Sequence, residues 1–145
     1  MMNRSFRIGR DDITVVCDAI FVRAEIDVLR DALAWRRDRL ARADYDDASA
    51  VLVLRGWMVL DDLLASTSVF GDEAPLTLTR KQALMLCEIA TAYVAERDVE
   101  SYQPAEERDR IALLRTQVGP LMDLCCEFAL AQEEARALRE PRLPV

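Results

Sequence analysis

Apolar residues recur along most of this chain at the three- and four-residue spacing that is typical of amphipathic helices. The densest segment, residues 51–64, reads VLVLRGWMVLDDLL, and only Arg55, Asp61 and Asp62 in it are charged. A surface helix carries one apolar stripe, whereas this segment is apolar on nearly every side. We therefore predict a central helix that is covered on more than one side, by the rest of the core or by a second subunit.

Three further helices are predicted at about residues 12–41, 80–98 and 104–139, where the apolar positions keep the same spacing. Thr79 precedes the second of these and has the hydroxyl that N-cap positions favour. The last helix contains Gly119–Pro120, which normally interrupts a helix. Because the apolar positions keep their register across this pair, we predict one long helix that is kinked near the proline.

The start of the chain leaves two interpretations open. Residues 1–10 have no helical pattern and are predicted to form an extended arm before the first helix. The β-branched run at residues 13–16 favours a strand, so a hairpin from Phe6–Ile8 to Ile13–Val16 is the alternative. We prefer the helix because apolar positions continue from this run at helical spacing.

Together these elements predict an all-α fold, a four-helix, mostly antiparallel bundle with the apolar second helix at its centre. Residues 66–78 would form the longest connection, and residues 140–145, which include two prolines, a C-terminal tail. A length of 145 residues suits a single domain. A chain of this size buries enough surface to fold without a metal or a disulfide.

The composition excludes several kinds of chemistry. The chain has no histidine, which removes every mechanism that uses a histidine as base, nucleophile or metal ligand. The four cysteines lie within helical patterns and are expected to be reduced, buried thiols. Cys125 and Cys126 are adjacent, but neighbouring helical side chains point about 100° apart; a redox role for this pair stays open. No phosphate-binding loop or nucleophile motif occurs, so we predict no catalytic residue, cofactor or metal.

Charge and targeting signals narrow the class of protein further. The formal net charge is −7, and acidity of this kind disfavours binding to nucleic acid. Trp35 is followed by four arginines within AWRRDRLARA, and an aromatic residue beside arginines can stack on a base or contact phosphates. A nucleic-acid or regulator accessory protein is therefore a further alternative hypothesis. The first ten residues lack the apolar core of a secretion signal, and no segment suits a membrane span. We expect a cytoplasmic protein.

The hypothesis that we prefer is a non-enzymatic interaction protein that self-associates as a homodimer. The chain has more apolar helix surface than four helices easily hide. Tryptophan and arginine are enriched at interface hot spots, and Trp35, Arg36, Arg37 and Trp57 are therefore the candidate interface residues.

The alternative hypothesis is a small-molecule binding protein, or an enzyme, with a largely apolar pocket. Arg55 would anchor an anionic group of the ligand, and Asp62 lies two turns further along the same helix face. Phe70, in the connection at residues 66–78, would act as a lid over the pocket.

Overall fold

The computed structural model describes residues 1–42, 48–67, 71–97 and 104–139, and in these residues it has three strands and four helices. Their order is β1 (Met2–Ile8), β2 (Val15–Val22), α1 (Arg23–Arg42), α2 (Ala48–Ala65), β3 (Glu73–Thr79), α3 (Arg80–Arg97) and α4 (Ala105–Arg139). The prediction of an all-α four-helix bundle is therefore wrong, because the helices pack against a three-stranded antiparallel sheet.

Strand β2 forms the centre of the sheet, with β1 and β3 paired antiparallel on either side. Phe6 lies opposite Cys17, and Cys17 lies opposite Leu78, so these residues share one face. The buried positions alternate along β2 and β3: Val15, Cys17, Ala19, Phe21, Ala74, Leu76 and Leu78. One face of the sheet therefore packs on the helices.

The outer face of the sheet carries a polar cluster that spans all three strands. The Nε of Arg7 donates a hydrogen bond of 2.6 Å to the Oδ2 of Asp18, and the Thr77 hydroxyl donates one of 2.6 Å to its Oδ1. These bonds favour the charged carboxylate and lower the pKa of Asp18. Arg7 and Thr77 are exposed and Asp18 is partly exposed, so the cluster stabilises strand pairing without belonging to a buried site.

The first helix begins at Arg23 and not near residue 12, and the extended segment at the start of the chain is strand β1, which is paired in the sheet. The chain instead forms a hairpin in which Ile8 pairs with Val15. The alternative prediction of a hairpin from Phe6–Ile8 to Ile13–Val16 is confirmed in its location but not in its bounds, because β1 begins at Met2 and β2 runs from Val15 to Val22. The apolar positions of this stretch fit both a helix and a strand, and burial of every second residue shows which periodicity the fold uses.

The predicted connection at residues 66–78 contains a strand that we did not expect. In β3, the sequence EAPLTLT buries Ala74, Leu76 and Leu78 and exposes the residues between them. Pro75 lies within this strand, although proline cannot donate a ladder hydrogen bond. It is tolerated here because β3 is an edge strand of the sheet.

Helices α3 and α4 follow their predicted bounds closely, and the cap of α3 is confirmed. The amide of Gln82 donates to the Thr79 hydroxyl at 3.2 Å, and the Thr79 amide donates to the Gln82 side-chain carbonyl at 2.9 Å. This reciprocal pair is a capping box. Helix α4 continues through Gly119–Pro120 as predicted; the kink there stays a prediction.

The helical core is built mainly on α1, α3 and α4, and α2 contributes the residues of only one side. Leu29 and Leu33 of α1, Leu86 and Ile89 of α3, and Phe128 of α4 are completely or almost completely buried. Helix α2 packs mainly against α1 at the edge of this layer. The prediction that residues 51–64 form the centre of the molecule is therefore wrong for a single chain.

Candidate protein-interaction surface

Helix α2 is attached to the rest of the molecule by one side. Trp57, Leu60 and Leu64 follow one another at helical spacing on this side and are at most 4% exposed. Gly56 lies against α3, where a Cβ at this position would be 3.4 Å from the Met85 methyl group. An ion pair of 3.1 Å between Arg30 and Asp61 joins the helix to α1.

The opposite side of α2 is apolar and open to solvent. Its large side chains are Val51, Leu52, Met58 and Val59, which are 50%, 66%, 57% and 59% exposed. At 100° per residue these four positions, with Arg55 and Asp62, lie within about 120° of arc. We call these six residues the outer face of α2. Single exposed apolar residues are common, whereas contiguous apolar patches are typical of sites that bind other molecules.

Two charges lie along the midline of the outer face. Arg55 and Asp62 are both exposed, and neither side chain makes an ion pair or hydrogen bond with another residue in the described ranges. They are separated by seven residues, or about 10 Å along the helix axis. Ion pairs on one helix form between residues three or four apart, so these two charges do not neutralise each other.

The chain matches no protein family, no curated protein and no solved structure. Its function therefore has to be inferred from its own surface. None of the described helices has both the length and the apolarity required to cross a membrane. Within residues 1–42, 48–67, 71–97 and 104–139, no group of three or more cysteine or acidic side chains is arranged to hold a metal ion.

The structure separates the predicted interface residues from the outer face of α2. Trp57 is in the core. Trp35 stacks edge to face on Tyr93 of α3 at 5.2 Å and carries the guanidinium of Arg39 over its ring at 5.0 Å. Arg36 forms an ion pair of 3.3 Å with Glu88 of α3. Trp35 and Arg36 therefore join α1 to α3 within one chain.

In the described part of the chain, two neighbouring cavities share Arg110 in their walls, and charged residues line both. The larger, about 490 Å³, contains Arg37 and the ion pairs of Arg30 with Asp61 and of Arg110 with Asp31. The smaller, about 390 Å³, lies beside Tyr93, Arg97 and Glu107.

Arg55 lines neither cavity, so neither supports the hypothesis of an apolar ligand pocket with this arginine as its anchor. Asp62 lies on the outer face of α2 and lines neither of these two cavities. Phe70, the predicted lid, lies outside the described residues.

The cysteines are less uniformly buried than expected. Cys17 is buried, Cys87 and Cys125 are half-buried, and Cys126 is exposed. Burial, together with the nearby Cys87 of α3, raises the pKa of the Cys125 thiol to about 11. The contact between Cys87 and Cys125 joins two helices, so no local spacing in the sequence could have indicated it.

Proposed function

We propose that this protein is a non-enzymatic interaction protein that self-associates through the outer face of α2. The observation that carries the proposal is the group of four large apolar side chains that a single chain leaves at least half exposed. Removing apolar surface from water contributes about 25 cal/mol per Å², so covering this face stabilises an assembly. Helices that bury apolar faces against each other are a common basis of homodimers.

The cysteines support a cytoplasmic location for this assembly. All four thiols are free, and free thiols persist in the reducing environment of the cytosol, where disulfides are rare. Self-association through apolar contacts requires no disulfide, so the proposed interface is compatible with that compartment.

The experiment that tests this proposal is sedimentation velocity of the wild type and of Val59→Glu from about 1 µM to about 1 mM, a range that brackets the affinity of a small interface. We expect the wild-type mass to rise with concentration from 16.4 kDa toward twice that value. Val59→Glu places a charge in the middle of the apolar face, and we expect it to remain at the monomer mass.

The matched control is Leu130→Glu, which introduces the same charge at an exposed leucine of α4. It should associate as the wild type does. A wild-type protein that remains monomeric throughout, or two variants that behave alike, would refute the proposal. Circular dichroism of Val59→Glu should show an unchanged helix content, because Val59 is exposed and is not part of the core.

A further inference from the structure

We propose that the partner on the outer face of α2 is a second copy in antiparallel orientation, with Arg55 of each protomer paired with Asp62 of the other. This inference rests on the proposed function and specifies its geometry. A twofold axis would pass between residues 58 and 59. Positions equally far from that axis then face each other, and 55 and 62 are such positions.

The charges favour a second copy over other occupants of the face. Any molecule that covers the midline takes Arg55 and Asp62 out of water, and a buried charge without a partner is costly. A second copy in this orientation supplies one carboxylate and one guanidinium at the two required positions. Because the interface is symmetric, the same ion pair forms twice.

A parallel arrangement of the same two helices is disfavoured by the same charges. It would place Arg55 against the partner's Arg55 and Asp62 against the partner's Asp62. Like charges in contact reject a docking geometry, and complementary charges select one. Asp61, the neighbouring acid, does not compete for the partner's Arg55, because it is already paired with Arg30 of its own chain.

The apolar residues on both sides of the midline fit this orientation. Met58 and Val59 flank the axis, so each meets its own copy. Leu52, the most exposed of the four large apolar residues, lies beside the partner's Leu63, which is half-buried in its own chain. Val51 lies on the same side of the midline as the partner's Ala65, which is one position from level with it, and the small side chain there leaves room for the valine. The two ion pairs would thus be enclosed by apolar contacts.

The size of the face sets the expected affinity. The twelve residues from 51 to 62 extend about 18 Å along the helix, and one such contact is smaller than the standard interface of about 800 Å² per partner. We expect a dissociation constant in the micromolar range. In an interface this small, two enclosed ion pairs have a large influence on orientation and stability.

Charge reversal tests the pairing directly. Arg55→Asp leaves two acids facing each other at both ends of the interface, and Asp62→Arg leaves two arginines. We expect each single variant to weaken self-association at least about tenfold. The double variant Arg55→Asp with Asp62→Arg restores both pairs in exchanged positions, and its dissociation constant should be within about threefold of the wild-type value.

Two controls separate the pairing from nonspecific effects. Arg108→Asp reverses an exposed charge on α4 and should leave the dissociation constant unchanged. Asp62→Arg makes the net charge less negative than −7 and so reduces general repulsion, which means that a loss of affinity in this variant has a local cause. An equimolar mixture of the two single variants should form a heterodimer, which also shows that both remain folded.

The outcomes distinguish this inference from the proposed function. If the wild type associates and Val59→Glu does not, but the single charge reversals have no effect, the antiparallel pairing is refuted and self-association through α2 stands. A double variant that associates as weakly as the single variants refutes the pairing in the same way. A wild type that is monomeric at every concentration refutes both.

Discussion

The ring of Phe6 on β1 meets the ring of Phe128 on α4 edge to face, with centroids 4.9 Å apart and planes at 88°. This contact joins the first strand to the last helix. Arg4 of the same strand reinforces it through an ion pair of 3.0 Å with Glu127 and a hydrogen bond of 3.1 Å to the carbonyl of Pro120. Strand β1 lies at the edge of the sheet, and α4 fixes its position.

The first prediction concerns this contact. Phe128 is completely buried, and its replacement by alanine removes the aromatic pair and leaves a cavity. We expect Phe128→Ala to lower the free energy of unfolding by about 3–5 kcal/mol, measured by urea denaturation. Leu130→Ala, at an exposed position two residues away, should change it by less than about 0.5 kcal/mol. Equal effects of the two substitutions would show that the hairpin does not pack on α4.

The second prediction compares two glycines that both have open space around them. Gly71 has a φ of +84°, and no atom lies within 4 Å of a Cβ added there. Gly71→Ala should destabilise the fold by about 1 kcal/mol, because only the backbone conformation opposes the methyl group. Gly119 is within α4 and is equally open. Gly119→Ala should stabilise by about 0.5–1 kcal/mol, because alanine favours the helix.

Thermal and urea unfolding of the two alanine variants would measure this difference. The prediction requires opposite signs. A stabilising Gly71→Ala substitution would contradict the left-handed conformation before β3, and a destabilising Gly119→Ala substitution would contradict an open helix surface at that position.

The third prediction concerns pH and the turn between β1 and β2. The Thr14 hydroxyl donates a hydrogen bond to Asp11, and the amides of Thr14 and Ile13 donate to the same carboxylate at 2.8 Å and 3.1 Å. These bonds lower the pKa of Asp11 to about 2, whereas an aspartate in an unfolded chain titrates near 3.9. The charged carboxylate therefore stabilises the fold above about pH 4, and this contribution is lost as the pH falls toward 2.

Removal of the hydroxyl should raise that pKa. In Thr14→Val the two amide donors remain, so we expect the pKa of Asp11 to rise but to stay below 3.9, measured by NMR titration of the carboxyl carbon. Thr77→Val removes the equivalent hydroxyl from Asp18 and should leave the Asp11 titration unchanged. A normal Asp11 pKa in the wild type would mean that the turn does not form as described.

The fourth prediction orders the reactivity of the thiols. Only the thiolate reacts with an alkylating reagent. Cys126 is exposed, whereas the pKa of Cys125 is about 11 and that of the buried Cys17 is also raised. At pH 8 we therefore expect Cys126 to react first and Cys17 last, as shown by peptide mass mapping after brief treatment with iodoacetamide.

Two serine variants check the assignment. Cys126→Ser should abolish the fastest phase of the reaction, and Cys17→Ser should leave it unchanged. Earlier labelling of Cys125 than of Cys126 would be incompatible with the burial of Cys125 between α3 and α4.

Helices α2, α3 and α4 could be predicted from the sequence because each has a long run of apolar positions three and four residues apart, a spacing that does not fit one face of a strand. The pattern of α4 outweighed Gly119–Pro120, and the cap at Thr79 was correct to the residue. The sheet could not be predicted in this way. Residues 15–22 are short enough to fit either periodicity, and β3 contains Pro75, which suggests a loop unless the strand is known to be at an edge.

The apolar character of residues 51–64, the absence of histidine and the positions of Arg55 and Asp62 are properties of the sequence alone. Which side of α2 is buried is a property of the tertiary structure, because burial depends on where α1 and α3 approach the helix. Local periodicity contains no information about those distant contacts. The bundle prediction assigned the centre of the molecule to α2, but α1, α3 and α4 pack against the sheet instead, and α2 is left at the edge with one apolar face uncovered.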